Sequence, residues 1–237
     1  MAAIDPQSLA SSLRRLQTTQ HTDISTAVEE AVRACAALFQ VSGAGLMIAD
    51  EMSNLHYIAA SDGAGRILEH VQSETGTGPC VEAFVRNDVV AADDLGDDPR
   101  WPAITPTLTR HGIRAVLGCP LRLGGVPVGT LDVYLGEPHR WEEAERAALA
   151  SYSDVIESAL STAMTAHQAG VLAGQLQYAL DYRVVIERAV GYLMASHGVD
   201  AVTAFDVLRR ASRDQRRKVA EVARELLDTG AIEVRRR

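Results

Sequence analysis

Lysine is almost missing from this 237-residue chain: Lys218 is the one lysine beside 22 arginines. Such a bias reflects GC-rich coding rather than a mechanism. Cysteine is scarce. Cys35, Cys80 and Cys119 form an odd set without CxxC spacing, which fits reduced thiols in a cytoplasmic protein and excludes a disulfide framework. The seven histidines are scattered, with no HExxH and no Cys/His cluster, so no metal site is expected. There is no Walker A sequence and no GxSxG elbow. Gly63-Ala-Gly65 and Gly76-Thr-Gly78 each lack the third glycine of a dinucleotide loop and read as turns. No apolar run approaches the roughly 18 residues of a membrane span. The first twenty residues lack the continuous apolar stretch of a secretion signal. The expectation is a cytoplasmic protein with no membrane contact, no cofactor and no enzymatic activity.

What is present is ordinary globular material, 47% hydrophobic and 23% charged, enough to bury a core. At roughly 150 residues per domain the length allows one to two domains. The formal net charge of −8 is uneven. Residues 1–165 hold eleven Arg and twenty-two Asp or Glu, net −11, and residues 166–237 are net +3. That asymmetry points to two modules with different partners.

The first module reads as α+β. Residues 24–40 place Ile24, Val28, Ala31, Val32, Cys35, Leu38 and Phe39 on one helical face. Strand-like runs follow at 44–50 and 54–60, joined by turn residues. Short helices are expected at 64–72, 79–86 and 103–111, a strand at 88–92, and a hairpin from 114–122 and 127–135 around Leu123-Gly-Gly125. A helix runs on from Trp141. The element order, with Gly76-x-Gly-Pro-Cys80, Asp93-Asp94-Leu95, Leu117-Gly-Cys-Pro-Leu121 and Gly129-Thr-Leu, resembles the GAF sensor domain of actinobacterial regulators. The resemblance implies an antiparallel sheet with helices on one side and a pocket for a small-molecule ligand on the other. The cyclic-nucleotide pattern of that family is absent. Element order makes Met47, Tyr57, Cys80 and Trp101 the candidate ligand contacts. Cys80 and Cys119 also admit a thiol-dependent reductase of the GAF type, although their surroundings do not match its motifs.

The second module reads as three helices. Residues 169–193 fit a heptad with Leu172, Leu176, Ala179, Arg183, Ile186, Val190 and Leu193 along the seam, which suggests a homodimer. A helix packed inside a single-chain bundle has the same pattern. Gly198 stops this helix, and Asp200 caps the next, over 201–212. Ser212-Arg-Asp-Gln215 has capping-box spacing and opens a third helix, which Thr229-Gly230 ends. Residues 209–218 carry six basic groups and one acidic, net +5. Such a cluster attracts nucleic acid through counterion release, and arginine also stacks on unpaired bases.

Ile186-Glu-Arg-Ala-Val-Gly-Tyr-Leu-Met194, Ala204-Phe-x-x-Leu-Arg-Arg-x-Ser212 and Arg217-Lys-Val-x-x-Val-Ala223 resemble the ANTAR domain of transcription antitermination regulators. The resemblance implies RNA hairpin loops as partner. The candidate contacts are Tyr192, Met194, Ala195, Arg209, Arg210, Ser212, Arg213, Arg216, Arg217 and Lys218. Val190 and Arg216 stand where that family often has Lys and Asn. A helix-turn-helix with Gln215 and Arg216 in a DNA major groove is the alternative reading. The expected organisation is an N-terminal tail 1–21, a GAF-like sensor 22–165, an ANTAR-like module 166–231 and a basic tail 232–237.

Overall fold

The computed structural model describes residues 24–166 and 171–232; the expected tail 1–21 and residues 233–237 of the basic tail lie outside the described residues. Helix α1 (Ile24–Phe39) leads into strands β1 (Gly43–Ala49) and β2 (Leu55–Ala60). Helices α2 (Gly63–Thr75) and α3 (Pro79–Arg86) precede β3 (Val90–Ala92) and the short α4 (Thr105–Arg110). Strands β4 (Ala115–Leu123) and β5 (Val126–Leu135) follow. Four helices complete the chain: α5 (Glu143–Ala166), α6 (Val171–His197), α7 (Ala201–Gln215) and α8 (Val219–Thr229).

The strands form one antiparallel sheet in the order β2-β1-β5-β4-β3. Local chemistry sets its turns. Gly124 and Gly125, at φ +58° and +80°, close the two-residue β4–β5 hairpin, whose twist needs positive φ at both positions. Asp50 closes the β1–β2 loop by accepting from the Met52 and Asn54 amides at 2.8 and 2.9 Å.

Every residue of β1 is buried. A sheet with one wet face would alternate, so both faces of this one are covered. On the first face α1 and α5 pack Val32, Cys35, Phe39, Leu149 and Tyr152 against Leu46, Leu117 and Leu131. The Phe39 and Tyr152 rings meet edge-on at 6.0 Å, and the Tyr152 hydroxyl donates to the Ala31 carbonyl at 2.9 Å.

The second face, expected to carry a pocket, is roofed. Met47, Ala49, Val116 and Tyr134 from the strands join Leu68, Phe84, Ile186, Phe205 and Leu208 in one continuous apolar cluster. Helix α6 passes over β1 and β5, and α3 packs on α7. The helical module is therefore the second layer over the sensor sheet. Its own helices pack together, with Ala189 of α6, Ala204 of α7 and Val222 and Ala223 of α8 in the same apolar cluster.

Two local expectations change. Gly63-Ala-Gly65 is the first turn of α2, where Asp62 caps the helix by accepting from the Gly65 amide at 2.9 Å. Helix α7 does not stop at residue 212. It continues to Gln215 through the polar residues Arg213, Asp214 and Gln215, and Arg216 ends it in the left-handed conformation at φ +53°. The Ser212 hydroxyl donates to the Arg217 carbonyl rather than opening a helix. Asp200 and Gly230 cap as expected.

Replacing Tyr152 by Phe keeps the ring contact and removes the bond to Ala31. It is expected to lower stability by about 1 kcal/mol. Urea unfolding should show a lower midpoint at unchanged slope.

Candidate functional site

The basic residues of the module divide into two groups. Arg210, Arg213 and Arg216 are exposed. Arg210 pairs with Asp206 at 2.6 Å while keeping 72% of its side chain in solvent. The others are engaged within the chain. Arg217 is held by Glu225 and Glu221, and the Glu225 bond leads the causes that raise its pKa. Ser212 is buried.

Three contacts tie this module to the sensor. Arg209 is 6% exposed and donates Nη2–H to the Gly76 carbonyl at 3.0 Å, with Asp206 at 3.1 Å as its counter-ion. Burial lowers its pKa, and the bond to Asp206 opposes that shift. Lys218 pairs with Glu51 of the β1–β2 loop at 2.8 Å, and the Glu51 carbonyl accepts from the Val219 amide at 3.3 Å. An acidic side chain at the first turn of α8 also suits the helix dipole. The third contact centres on Arg183. Its guanidinium lies 4.8 Å from the Phe84 ring centroid and 5.9 Å from that of Phe205. It donates to the Phe84 carbonyl at 3.4 Å and pairs with Glu187 at 3.2 Å. The Phe84 and Phe205 rings stand 6.0 Å apart, edge to face. Desolvation is the leading cause of a lowered Arg183 pKa.

Tyr192, Met194 and Ala195 are exposed, but not beside the basic turn. The Tyr192 hydroxyl donates to the Gly230 carbonyl at the C-terminal end of α8, whereas Lys218 caps its N-terminus. Eleven residues of helix separate the two ends, about 16 Å. The chain thus turns after α6 at the end of the module opposite to the basic turn, and the candidate contacts form two patches. Of the heptad positions, Arg183, Ile186 and Leu193 are buried within the chain and Val190 is half-buried, as in a single-chain bundle. Leu172, Leu176 and Ala179 belong to α6, and their side chains lie outside the described residues.

The candidate ligand residues separate as well. Met47, Cys80 and Trp101 are enclosed in the roofed core, and Tyr57 is exposed on edge strand β2. Around Cys80 the structure builds a polar trough. Asp132 points into it from β5, and its strand neighbours on both sides are glycines, Gly45 and Gly118. A Cβ at Gly45 would stand 1.8 Å from Glu69 Oε1, and one at Gly118 would stand 3.2 Å from Cys80 Cα. These two glycines let Glu69 of α2 and Cys80 of α3 descend beside Asp132. Gln72 accepts from the Cys80 amide at 2.9 Å and donates to its sulfur at 2.8 Å. Burial leads the causes that raise the pKa of Glu69, Asp132 and Cys80.

Sequence reasoning did not single out Glu51, Phe84, Glu69, Gln72 or Asp132. One signal was available: Asp132 is the lone charge in the apolar run 126–135.

The fold is thus an α+β sheet domain roofed by a three-helix module that carries a cluster of basic residues. The chain belongs to the GAF domain family, which matches residues 23–160, and carries an ANTAR domain matching residues 174–227. Curated proteins gave no match. Among solved structures, the chain is similar to the GAF domain of an Acinetobacter phosphoenolpyruvate-protein phosphotransferase, at 15% identity and TM-score 0.54, covering 70% of this chain and 98% of that one. It is also similar to free methionine-R-sulfoxide reductase from Neisseria meningitidis in complex with its substrate, at 15% identity and TM-score 0.53, covering 69% and 95%. A third likeness is to the GAF domain of a Coxiella burnetii phosphoenolpyruvate-protein phosphotransferase, at 17% identity and TM-score 0.53, covering 67% and 96%. These likenesses show the fold alone. A GAF sensor followed by an ANTAR RNA-binding domain fits a signal-responsive regulator of transcription antitermination. Among the described residues no helix is long and apolar enough to cross a membrane.

Phe84→Ala is expected to cost about 3–5 kcal/mol, because the ring fills the joint between sensor and module. Arg183→Met keeps the volume and relieves the burial of a charge while removing the bond to the Phe84 carbonyl, so it is expected to cost about 1 kcal/mol, well below Phe84→Ala. Urea unfolding of both variants checks the contrast.

Proposed function

We propose that this protein is a non-enzymatic antitermination regulator whose sensor domain holds the RNA-binding module in a docked form of low affinity. A small ligand or other signal acting on the sensor loosens the three ties, and the released module grips RNA hairpin loops. The observation that carries this reading is that Arg209, Arg183 and Lys218 are bonded to sensor groups. Cations spent on the Gly76 carbonyl, the Phe84 carbonyl and Glu51 are withdrawn from phosphate. Arg210, Arg213 and Arg216 remain at the surface for first contact. Phosphate attraction supplies most of the affinity, and arginine stacking on unpaired bases favours loops over closed duplexes.

Two observations weigh against the other readings. Gln215 and Arg216 close α7 instead of opening α8, so they do not occupy the N-terminus of a recognition helix. Cys80 and Cys119 are enclosed, and burial leads the causes that push the Cys119 thiol up to about 12, which suppresses the nucleophilic thiolate. The reading includes a homodimer through α6. Arg183, Ile186 and Leu193 are already covered, so the partner meets the strip where Val184 is 59% exposed. Sedimentation of Val184→Glu against the unchanged protein should show loss of the dimer.

Gel-shift titration with an RNA hairpin, and with duplex DNA of equal length as competitor, tests the target. Preference for the duplex would overturn the RNA reading. Replacing Arg213 and Arg216 together by Ala is expected to weaken hairpin binding about tenfold or more and to lower the salt slope by about 1.5. Gly76→Ala places a methyl 2.0 Å from the Arg209 guanidinium and pushes that side chain off the sensor without changing net charge. It is expected to tighten hairpin binding by about threefold, the effect of roughly one regained phosphate contact. Unchanged affinity would sink the docking model.

A further inference from the structure

The trough at Asp132 plays no part in the ties between sensor and module, yet it has the makings of a binding site. Glu69, Cys80 and Asp132 come from α2, α3 and β5, and one ligand-type atom of each lies within 4.8 Å of the others. All three side chains are fully enclosed. Both carboxylate oxygens of Glu69 and Oδ1 of Asp132 are without a hydrogen-bond donor. The other Asp132 oxygen is met by the Thr130 hydroxyl at 3.3 Å. Two dry carboxylates side by side are costly unless a positive charge joins them. Among the described residues no arginine, lysine or histidine is bonded to either one. The charge must be supplied by protons or by a metal ion.

The sulfur is held in place by an oriented donor. The Cys80 backbone amide can only donate, so Gln72 Oε1 faces it, and the Gln72 Nε2–H is left to donate to Sγ. The sulfur thus accepts a hydrogen bond from Gln72, as a ligating sulfur does, and it also lies in hydrogen-bond contact with Asp132. An outer residue that orients and hydrogen-bonds a ligating sulfur is a recurrent feature of metal sites. Ligand atoms about 2.0–2.3 Å from a zinc-sized ion stand roughly 3.3–3.8 Å apart, so atoms within 4.8 Å need to close in by about 1.5 Å or less. Gly45 and Gly118 are what let Glu69 and Cys80 come this close to Asp132.

We propose that Glu69, Cys80 and Asp132 bind a divalent first-row transition-metal ion such as Zn²⁺ or Fe²⁺, with Gln72 orienting the sulfur. The thiolate selects against Mg²⁺ and Ca²⁺, and the two carboxylates select against Cu⁺. Binding displaces the thiol proton and any proton held by the carboxylates, so protons are released on metal uptake. Cys80 lies one helical turn before Phe84, against which Arg183 and Phe205 rest.

The test uses the full-length protein after treatment with a chelator, with Co²⁺ as spectroscopic probe and Zn²⁺ as competitor. One equivalent of Co²⁺ is expected to bind with a sulfur-to-cobalt charge-transfer band, and Zn²⁺ is expected to displace it. Cys80→Ser should abolish that band, and Asp132→Asn should weaken binding by at least about 100-fold. Cys35→Ser, on the opposite sheet face, should bind as the unchanged protein does. Zn²⁺ should raise the Tm of the unchanged protein and leave that of Cys80→Ser where it was, a readout that also checks folding. Absence of stoichiometric Co²⁺ binding, or a charge-transfer band that survives in Cys80→Ser, would overturn the proposal.

Discussion

The sheet of this protein is apolar on both faces, and an apolar face has to be covered by something. Helices α1 and α5 cover one side in the ordinary way. The other side is too broad for α2, α3 and the short α4, and the rest of its cover comes from α6, α7 and α8. The hydrophobic effect thus makes the output module a structural part of the sensor. The edge-to-face pair of Phe84 and Phe205 is the clearest sign, since each ring belongs to a different module.

This shared cover also explains how the charges are arranged. An acidic sensor and a basic module attract one another, and their attraction is focused at defined points rather than spread over the contact. Glu51 holds Lys218, and backbone carbonyls at Gly76 and Phe84 take the two buried guanidinium groups. A carbonyl gives a weaker hold on arginine than a carboxylate does. Such ties can be released without stranding a buried anion, which suits a contact that opens and closes. The same cations cannot serve the sensor and a phosphate at once.

Beneath the cover, Asp132 is a second point where the sheet departs from apolar packing. The two flanking glycines make room for two helices to bring their polar side chains down onto one strand residue. Cys80 and Phe84 lie on the same short helix α3, so the polar trough and the joint to the output module share a single rigid element.

Much of the fold was legible in the residues. The apolar spacing of α1, the Gly124-Gly125 turn, the Asp200 cap and the Gly230 stop are local events, and local chemistry dictates them. Ser212-x-x-Gln215 has capping-box spacing, yet Ser212 is buried with its hydroxyl on the Arg217 carbonyl, and α7 runs through it to Gln215. The heptad in α6 could not distinguish a second copy from the chain's own helices, because both present the same apolar surface. By itself the sequence determined the two modules, their families and the concentration of positive charge at 209–218. Only the tertiary structure decided which of those cations reach solvent, and that Glu69, Cys80 and Asp132 meet. Exposure, and proximity between residues as distant in sequence as Gly76 and Arg209 or Glu51 and Lys218, depend on which faces the fold buries together, and no local pattern encodes that.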